Sequence, residues 1–133
     1  MKSVQTKLKV LDDLGLGYLT LGEATPGLSG GEAQRLKLAG DMGRGQADTV
    51  FIFDEPTIGL HPENVKTLMA VFDHLIDAGA TVIVIEHDLD VIRSADWMID
   101  LGPGGGDAGG QLVYAGVPSG AKANKESVTG RFL

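Results

Sequence analysis

The sequence predicts an α/β fold in which a parallel sheet is flanked by helices, and three observations support it. Two short uninterrupted apolar runs, Val50–Phe53 and TVIVI at Thr81–Ile85, have the length and the β-branched or aromatic content of strands buried on both faces. Between them, Val65, Leu68, Met69, Phe72, Leu75 and Ile76 fall on one face of a helix that Pro62-Glu63 opens and Gly79 closes. Polar residues then follow each run directly: Asp54-Glu55 after the first, Glu86-His87-Asp88 after the second. Those are the carboxyl ends of the strands, where an open parallel sheet keeps its chemistry.

The remaining elements follow in order. Val4, Leu8 and Leu11 repeat at helical spacing over Lys2–Leu14, and Gly15 is the stop signal. Gly15 to Gly27 reads as a turn-rich connection around Tyr18 and Leu19. Ser29 opens a second helix, because Glu32 three residues on completes an S-x-x-E capping box, with Ala33, Leu36 and Ala39 as the expected buried stripe. Gly40–Asp48 is a polar loop. After TVIVI, Asp88 or Asp90 caps a short helix through Ser94, and Trp97–Leu101 is a third strand. Gly102–Gly110 holds six glycines and a proline and reads as a hairpin-type connection. It lacks the Lys-Ser/Thr ending of a phosphate loop. Gln111–Ala115 is a fourth strand, expected antiparallel to the third. Residues 116–133 are polar and are expected to be loosely ordered.

Composition narrows the function classes. With 133 residues the chain is long enough for one hydrophobic core. No apolar stretch approaches the roughly 20 residues a membrane helix needs, so the expectation is a soluble, cytoplasmic protein with no membrane partner. Cysteine is absent, which excludes disulfides and any cysteine-based zinc site in this segment. The net charge of −7 lies entirely in residues 50–133, where twelve acidic side chains face five basic ones. That balance disfavours tight nucleic-acid binding by this chain, which would need clustered lysine or arginine.

Two segments carry the candidate chemistry. Ser29-Gly30-Gly31 at a helix start offers backbone N–H groups and a positive dipole end to a phosphate, and glycine lets that phosphate approach. Phe51-Ile52-Phe53-Asp54-Glu55-Pro56 is an apolar strand ending in two carboxylates. One carboxylate can hold a hydrated Mg²⁺ on phosphate oxygens, and the next can orient a water and take its proton. His87, ending the second run, can exchange a hydrogen bond with a phosphate oxygen or with Glu55. Each feature alone is weak: an isolated Asp-Glu pair is usually a solvated strand end, and an isolated SGG an ordinary helix cap. Their order on one chain is what carries weight. A phosphate loop of the form G-x-x-x-x-G-K-[ST] is missing, and no Gly-Lys dipeptide occurs.

LSGGEAQR resembles the signature motif of ABC-type ATPases, FIFDEP their Walker B strand, and IEHD their switch-histidine segment. More narrowly, GLGYLTLGEATPGLSGGEAQRLKLA, DEPTIGLHPENV, VIVIEHDLDVIRSADWMIDLGPGGGDAGG and the closing TGRFL are similar to the UvrA family, the damage-recognition subunits of the UvrABC excinuclease. The resemblance runs through nearly the whole chain and ends in a run like that family's C-terminus. It implies a partial P-loop NTPase fold of ABC type that lacks the Walker A strand and loop. It further implies ATP and Mg²⁺ as cofactors, with Asp54 holding the metal, and Glu55 and His87 as catalytic residues activating water and contacting the γ-phosphate. Ser29, Gly30, Gly31 and Glu32 would face, in trans, a nucleotide seated on another Walker A. Gly59, Leu60 and His61 would form the D-loop joining two such sites.

On this resemblance the chain divides into a signature segment (1–49), a Walker B and switch-histidine half (50–115) and a tail (116–133). The implied partners are upstream UvrA-like ATPase segments, a second UvrA and UvrB. DNA is a partner of the intact protein only, as damage recognition in nucleotide excision repair requires. A missing Walker A strand leaves apolar strand surface uncovered, and the isolated chain is expected to be inactive. The alternative is a non-catalytic interaction module that docks on a complete ABC ATPase. A transporter ATPase fragment is disfavoured by the GLH and DLGPGGG runs.

Overall fold

The computed structural model describes residues 2–20, 22, 27–41, 47–104 and 109–133, without the side chains of residues 2, 3 and 41. The expected connection at 21 and 23–26, the loop at 42–46 and the glycine run at 105–108 lie outside the described residues. The order is α1 (Lys2–Asp13), α2 (Gly30–Asp41), β1 (Val50–Asp54), α3 (Pro62–Asp77), β2 (Thr81–Ile85), α4 (Leu89–Ser94), β3 (Met98–Leu101) and β4 (Leu112–Gly116), followed by 3₁₀ turns at Pro118–Ala123 and Thr129–Arg131. The chain forms two compact units, Met1–Glu86 and His87–Leu133.

In the first unit β1 and β2 pair in parallel, Val50 opposite Thr81 through Asp54 opposite Ile85. Alternation along the strands sends Phe51, Phe53, Val82 and Val84 to one side, where they join a core of Leu14, Leu16, Leu38, Leu68, Phe72 and Leu75. Phe53 and Phe72 pack with ring centroids 4.9 Å apart. The other side is uncovered. Val50, Ile52, Ile83 and Ile85 keep between 47% and 65% of their surface exposed. The expectation of strands buried on both faces is therefore corrected. The apolar runs have the composition of doubly covered strands, but only one layer of helix lies against them, and the uncovered apolar surface expected of an incomplete sheet is what remains.

α3 forms as its pattern dictates, with one shift. His61 is its N-cap, Nδ1 accepting from the Glu63 N–H at 3.4 Å, and Pro62 occupies the first turn without wasting a donor. Val65, Leu68, Val71, Phe72 and Leu75 are buried. Ile76, expected inside, is exposed, and Val71 takes its place because the apolar stripe drifts around a 3.6-residue helix. Gly79 ends the helix at φ +93°, a conformation glycine adopts without steric cost. In α1, Val4 and Leu8 are exposed, and contact with the core starts at Val10 and Leu11. In α2 the expected stripe holds in part: Leu36 and Ala39 are half-buried against the core, but Ala33 is exposed and the fully buried positions are Gly31, Arg35 and Leu38. Its centre is a charged residue, which a hydrophobic pattern cannot mark.

In the second unit β3 and β4 form the expected antiparallel pair, with a register shift between Asp100 and Leu101. Asp88 caps α4, its carboxylate accepting from the N–H groups of Asp90 and Val91 at 2.9 and 3.1 Å. The polar tail is ordered, contrary to expectation. Ser127 is fully buried and donates to Asp100 Oδ2 at 2.5 Å, while its Oγ accepts from the Gly130 N–H at 2.7 Å. Thr129 Oγ1 adds a second donor to the same carboxylate at 3.3 Å. Asn124 Nδ2 donates to the Val113 carbonyl at 2.6 Å. The tail also buries Pro118 and Ala121, and these polar bonds to β3 and β4 help to hold it in place.

Candidate functional site

The first unit gathers most of the motif residues at the carboxyl end of β1. Asp54 is the last strand residue and is exposed. Glu55 follows at φ +47°, a left-handed conformation that costs a non-glycine residue about 1–2 kcal/mol. Three neighbours hold it there. The Glu55 N–H donates to the Ile85 carbonyl at 2.8 Å, extending the β1–β2 pairing by one bond. Arg35 Nη1 donates to the Pro56 carbonyl at 2.7 Å. Glu86 Oε1 accepts from both the N–H and the Oγ1 of Thr57, at 2.9 and 2.5 Å. A strained residue fixed on both sides, at the place where two carboxylates leave a strand, is a common property of functional positions.

The signature-like segment is tied to the same turn. Ser29 and Glu32 form the expected reciprocal cap: the Ser29 N–H donates to Glu32 Oε2 at 2.6 Å and the Glu32 N–H to Ser29 Oγ at 3.3 Å. Tyr18 Oη donates to the other oxygen of Glu32. Further along α2, Gln34 Oε1 accepts from the Asp54 N–H at 3.3 Å, beside the Arg35 contact to Pro56. The two glycines differ. Gly30 is exposed with open space where a Cβ would stand. At Gly31, which is buried, a Cβ would lie 3.2 Å from Arg35 Nη1 and 3.7 Å from the Ile58 carbonyl.

Arg35 retains only 2% of its surface, and its Nε has no hydrogen-bond partner among the described residues. Burial pushes its guanidinium below the ordinary arginine value, and the Glu32 carboxylate opposes that shift. An arginine starting so high stays charged at any physiological pH. The Pro56 carbonyl thus receives a charge-assisted bond in a desolvated place.

The remaining predicted residues divide. Gly59, at φ +75°, and Leu60 continue the turn, whose N–H groups at Ile58 and Leu60 donate to the carbonyls of Glu55 and Thr57 at 3.2 and 2.9 Å. Leu60 packs against the core, and His61 is spent on the α3 cap. His87 is exposed and begins the second unit. Sequence reasoning missed Gln34, Arg35, Thr57 and Glu86 as site-building residues. All four lie inside the motif runs, so the signal was their adjacency to the motifs. Among the described residues no three His, Asp or Glu side chains gather to cage a metal. One exposed carboxylate, Asp54, suits a hydrated Mg²⁺ held mainly by phosphate oxygens.

No family model matches this chain. Curated relatives do: it is 52% identical over 132 residues to "UvrABC system protein A" of Aquifex aeolicus and 54% identical to that of Thermus thermophilus, in each case over 98% of this chain. Among solved structures, UvrA2 from Deinococcus radiodurans matches 98% of the chain with a TM-score of 0.92 at 46% identity. The chain spans 14% of the length of those two curated relatives and 16% of the solved one. No helix among the described residues is long and apolar enough to cross a membrane. The chain is therefore a UvrA-related segment.

Proposed function

We propose that this chain supplies the signature, Walker B and switch-histidine portion of a UvrA-like ABC ATPase, and that it works only with a Walker A contributed by other sequence. The observation that carries the reading is the turn Asp54–Thr57: two carboxylates at the end of a parallel strand, the second in a strained left-handed conformation fixed from both sides. Bound there on ATP, Mg²⁺ would neutralise phosphate charge. Asp54 is the residue to hold it. Glu55 accepts the proton of the attacking water, and His87 donates a hydrogen bond to the γ-phosphate. Ser29, Gly30, Gly31 and Glu32 present the α2 start to a nucleotide held by a partner, and Gly59, Leu60 and His61 form the connecting D-loop. In the assembled protein this ATP cycle serves loading on damaged DNA, pairing with a second UvrA and delivery to UvrB.

Calorimetry of Mg-ATP against the purified chain, with its mass followed by light scattering, tests the dependence on a missing Walker A. No binding is expected, and tight stoichiometric binding would overturn it. In an assembled ATPase, Glu55→Gln is expected to lower turnover by about 10²–10⁴-fold, the range for loss of a general base. An unchanged rate would remove Glu55 from the mechanism.

A second reading, a non-catalytic module docking on a complete ABC ATPase, is favoured by one observation, the uncovered side of β1–β2 carrying Val50, Ile52, Ile83 and Ile85. Association with a P-loop chain that leaves its turnover unchanged on Glu55→Gln would select it.

A further inference from the structure

We infer that Arg35 is a positioning residue that locks the N-terminal half of α2 to the turn after Asp54-Glu55, and that glycine at position 31 leaves room for it. The geometry is local to the first unit. Arg35 Nη1 reaches the Pro56 carbonyl at 2.7 Å, and that carbonyl belongs to the residue following the strained Glu55. A Cβ built on Gly31 would stand 3.2 Å from this nitrogen, close enough to push a buried, engaged guanidinium by a few tenths of an ångström and lengthen its bond to Pro56. The Ile58 carbonyl lies 3.7 Å from the same Cβ position. The two glycines of the signature-like run therefore have different tasks. Gly30 faces open space and is free to meet a ligand. Gly31 lies against the chain's own interior, where an added Cβ would make the Arg35 guanidinium give by a few tenths of an ångström.

The neighbouring Gln34 supports the same conclusion, since its side chain accepts from the Asp54 N–H at 3.3 Å. Two consecutive residues of α2 thus grip the backbone on either side of Glu55. A shift of the α2 start is transmitted to Glu55 without passing through the core. Its meaning for catalysis rests on the proposed ATPase reading, but the lock itself does not.

Amide hydrogen exchange followed by NMR on the 133-residue chain reads the lock without any nucleotide. The Ile58 and Leu60 amides close the turn, and the Leu68 amide inside α3 is the reference. Arg35→Met keeps the apolar stem and removes the donor. It is expected to speed exchange at Ile58 and Leu60 by about tenfold or more, as loss of a hydrogen bond from a charged donor implies, with Leu68 changed by less than about twofold. Arg35→Lys should recover most of the protection. Gly31→Ala should reproduce the Arg35→Met pattern and add nothing to it in the double variant. Unchanged Ile58 and Leu60 amides in Arg35→Met, or additive effects in the double variant, overturn the inference. Should Arg35→Met not fold, Gly31→Ala, which retains the cation, decides alone: faster exchange at Ile58 supports the lock, and native exchange rejects it.

Turnover in an assembled ATPase separates the lock from the function. If the lock serves turnover, Arg35→Met lowers kcat more than it raises the KM for ATP, and Arg35→Lys restores most of the loss. If Glu55→Gln leaves turnover intact, the ATPase reading fails while the exchange result stands.

Discussion

Ser127→Ala is the sharpest test of how the second unit is held together. Ser127 is completely buried, and its hydroxyl serves two partners, donating to Asp100 Oδ2 at 2.5 Å and accepting from the Gly130 N–H at 2.7 Å. Alanine leaves the Gly130 N–H buried with no acceptor, which costs about 1–3 kcal/mol. It also removes a hydrogen bond to a carboxylate, worth roughly 1.5–3 kcal/mol. Thr129 Oγ1, at 3.3 Å from Asp100 Oδ1, compensates little of this. The expected loss is thus roughly 2.5–6 kcal/mol, a large share of what a small unit has to lose. Trp97 is the only tryptophan and directly precedes β3, so its fluorescence during urea titration reports this unit. The midpoint should fall with the slope unchanged. A shift worth less than about 0.5 kcal/mol would refute the reasoning, because an ordinary surface substitution does as much.

Three further expectations concern the first unit. Glu55→Gly relieves about 1–2 kcal/mol of left-handed backbone strain against about 0.5–1 kcal/mol of added chain freedom when unfolded, so it should stabilise the unit by about 0.5–1 kcal/mol in thermal unfolding, even though it removes the proposed general base. A loss of stability would show that Glu55 is not strained. Ile52→Thr with Ile83→Thr should reduce self-association seen by light scattering with little change in unfolding, since both side chains are already exposed; unchanged association would mean that the open sheet face is not its cause. Leu68→Ala, at 1% exposure in the core, should cost about 2–5 kcal/mol in denaturant titration, and a cost under about 1 kcal/mol would contradict the packing described.

Much of the fold was legible because it is local. The α3 pattern, the S-x-x-E cap, the glycine stops and the antiparallel β4 all follow from residues a few positions apart. What escaped is non-local or charged. Whether Ile52 is covered depends on what lies against β1, and no property of the run Val50–Phe53 records that. The tail was read as loose from its polarity, but Ser127 finds its partner Asp100 at a separation of 27 residues, and no periodicity reveals such a pair. The α2 stripe was legible at Leu36 and Ala39 but incomplete, because its buried positions include Arg35, which a hydrophobic count assigns to solvent. The site was legible as strings and not as geometry. Asp54 and Glu55 were placed at the end of their strand, but neither the positive φ of Glu55 nor the hold of Arg35 and Glu86 on the residues after it is written in composition or spacing.

The open side of the β1–β2 sheet also limits what a separate polypeptide could achieve. Complete burial of an aliphatic side chain yields about 1.5–3 kcal/mol. Val50, Ile52, Ile83 and Ile85 have about half of their surface left to bury, so together they offer roughly 3–6 kcal/mol. Before any loss of rotational freedom is counted, that corresponds to dissociation constants of roughly 0.05–10 mM. A covering element recruited through this face from free solution would dissociate quickly. Joined covalently, the same element faces an effective concentration in the millimolar range, and the same modest surface is then enough to keep it in place.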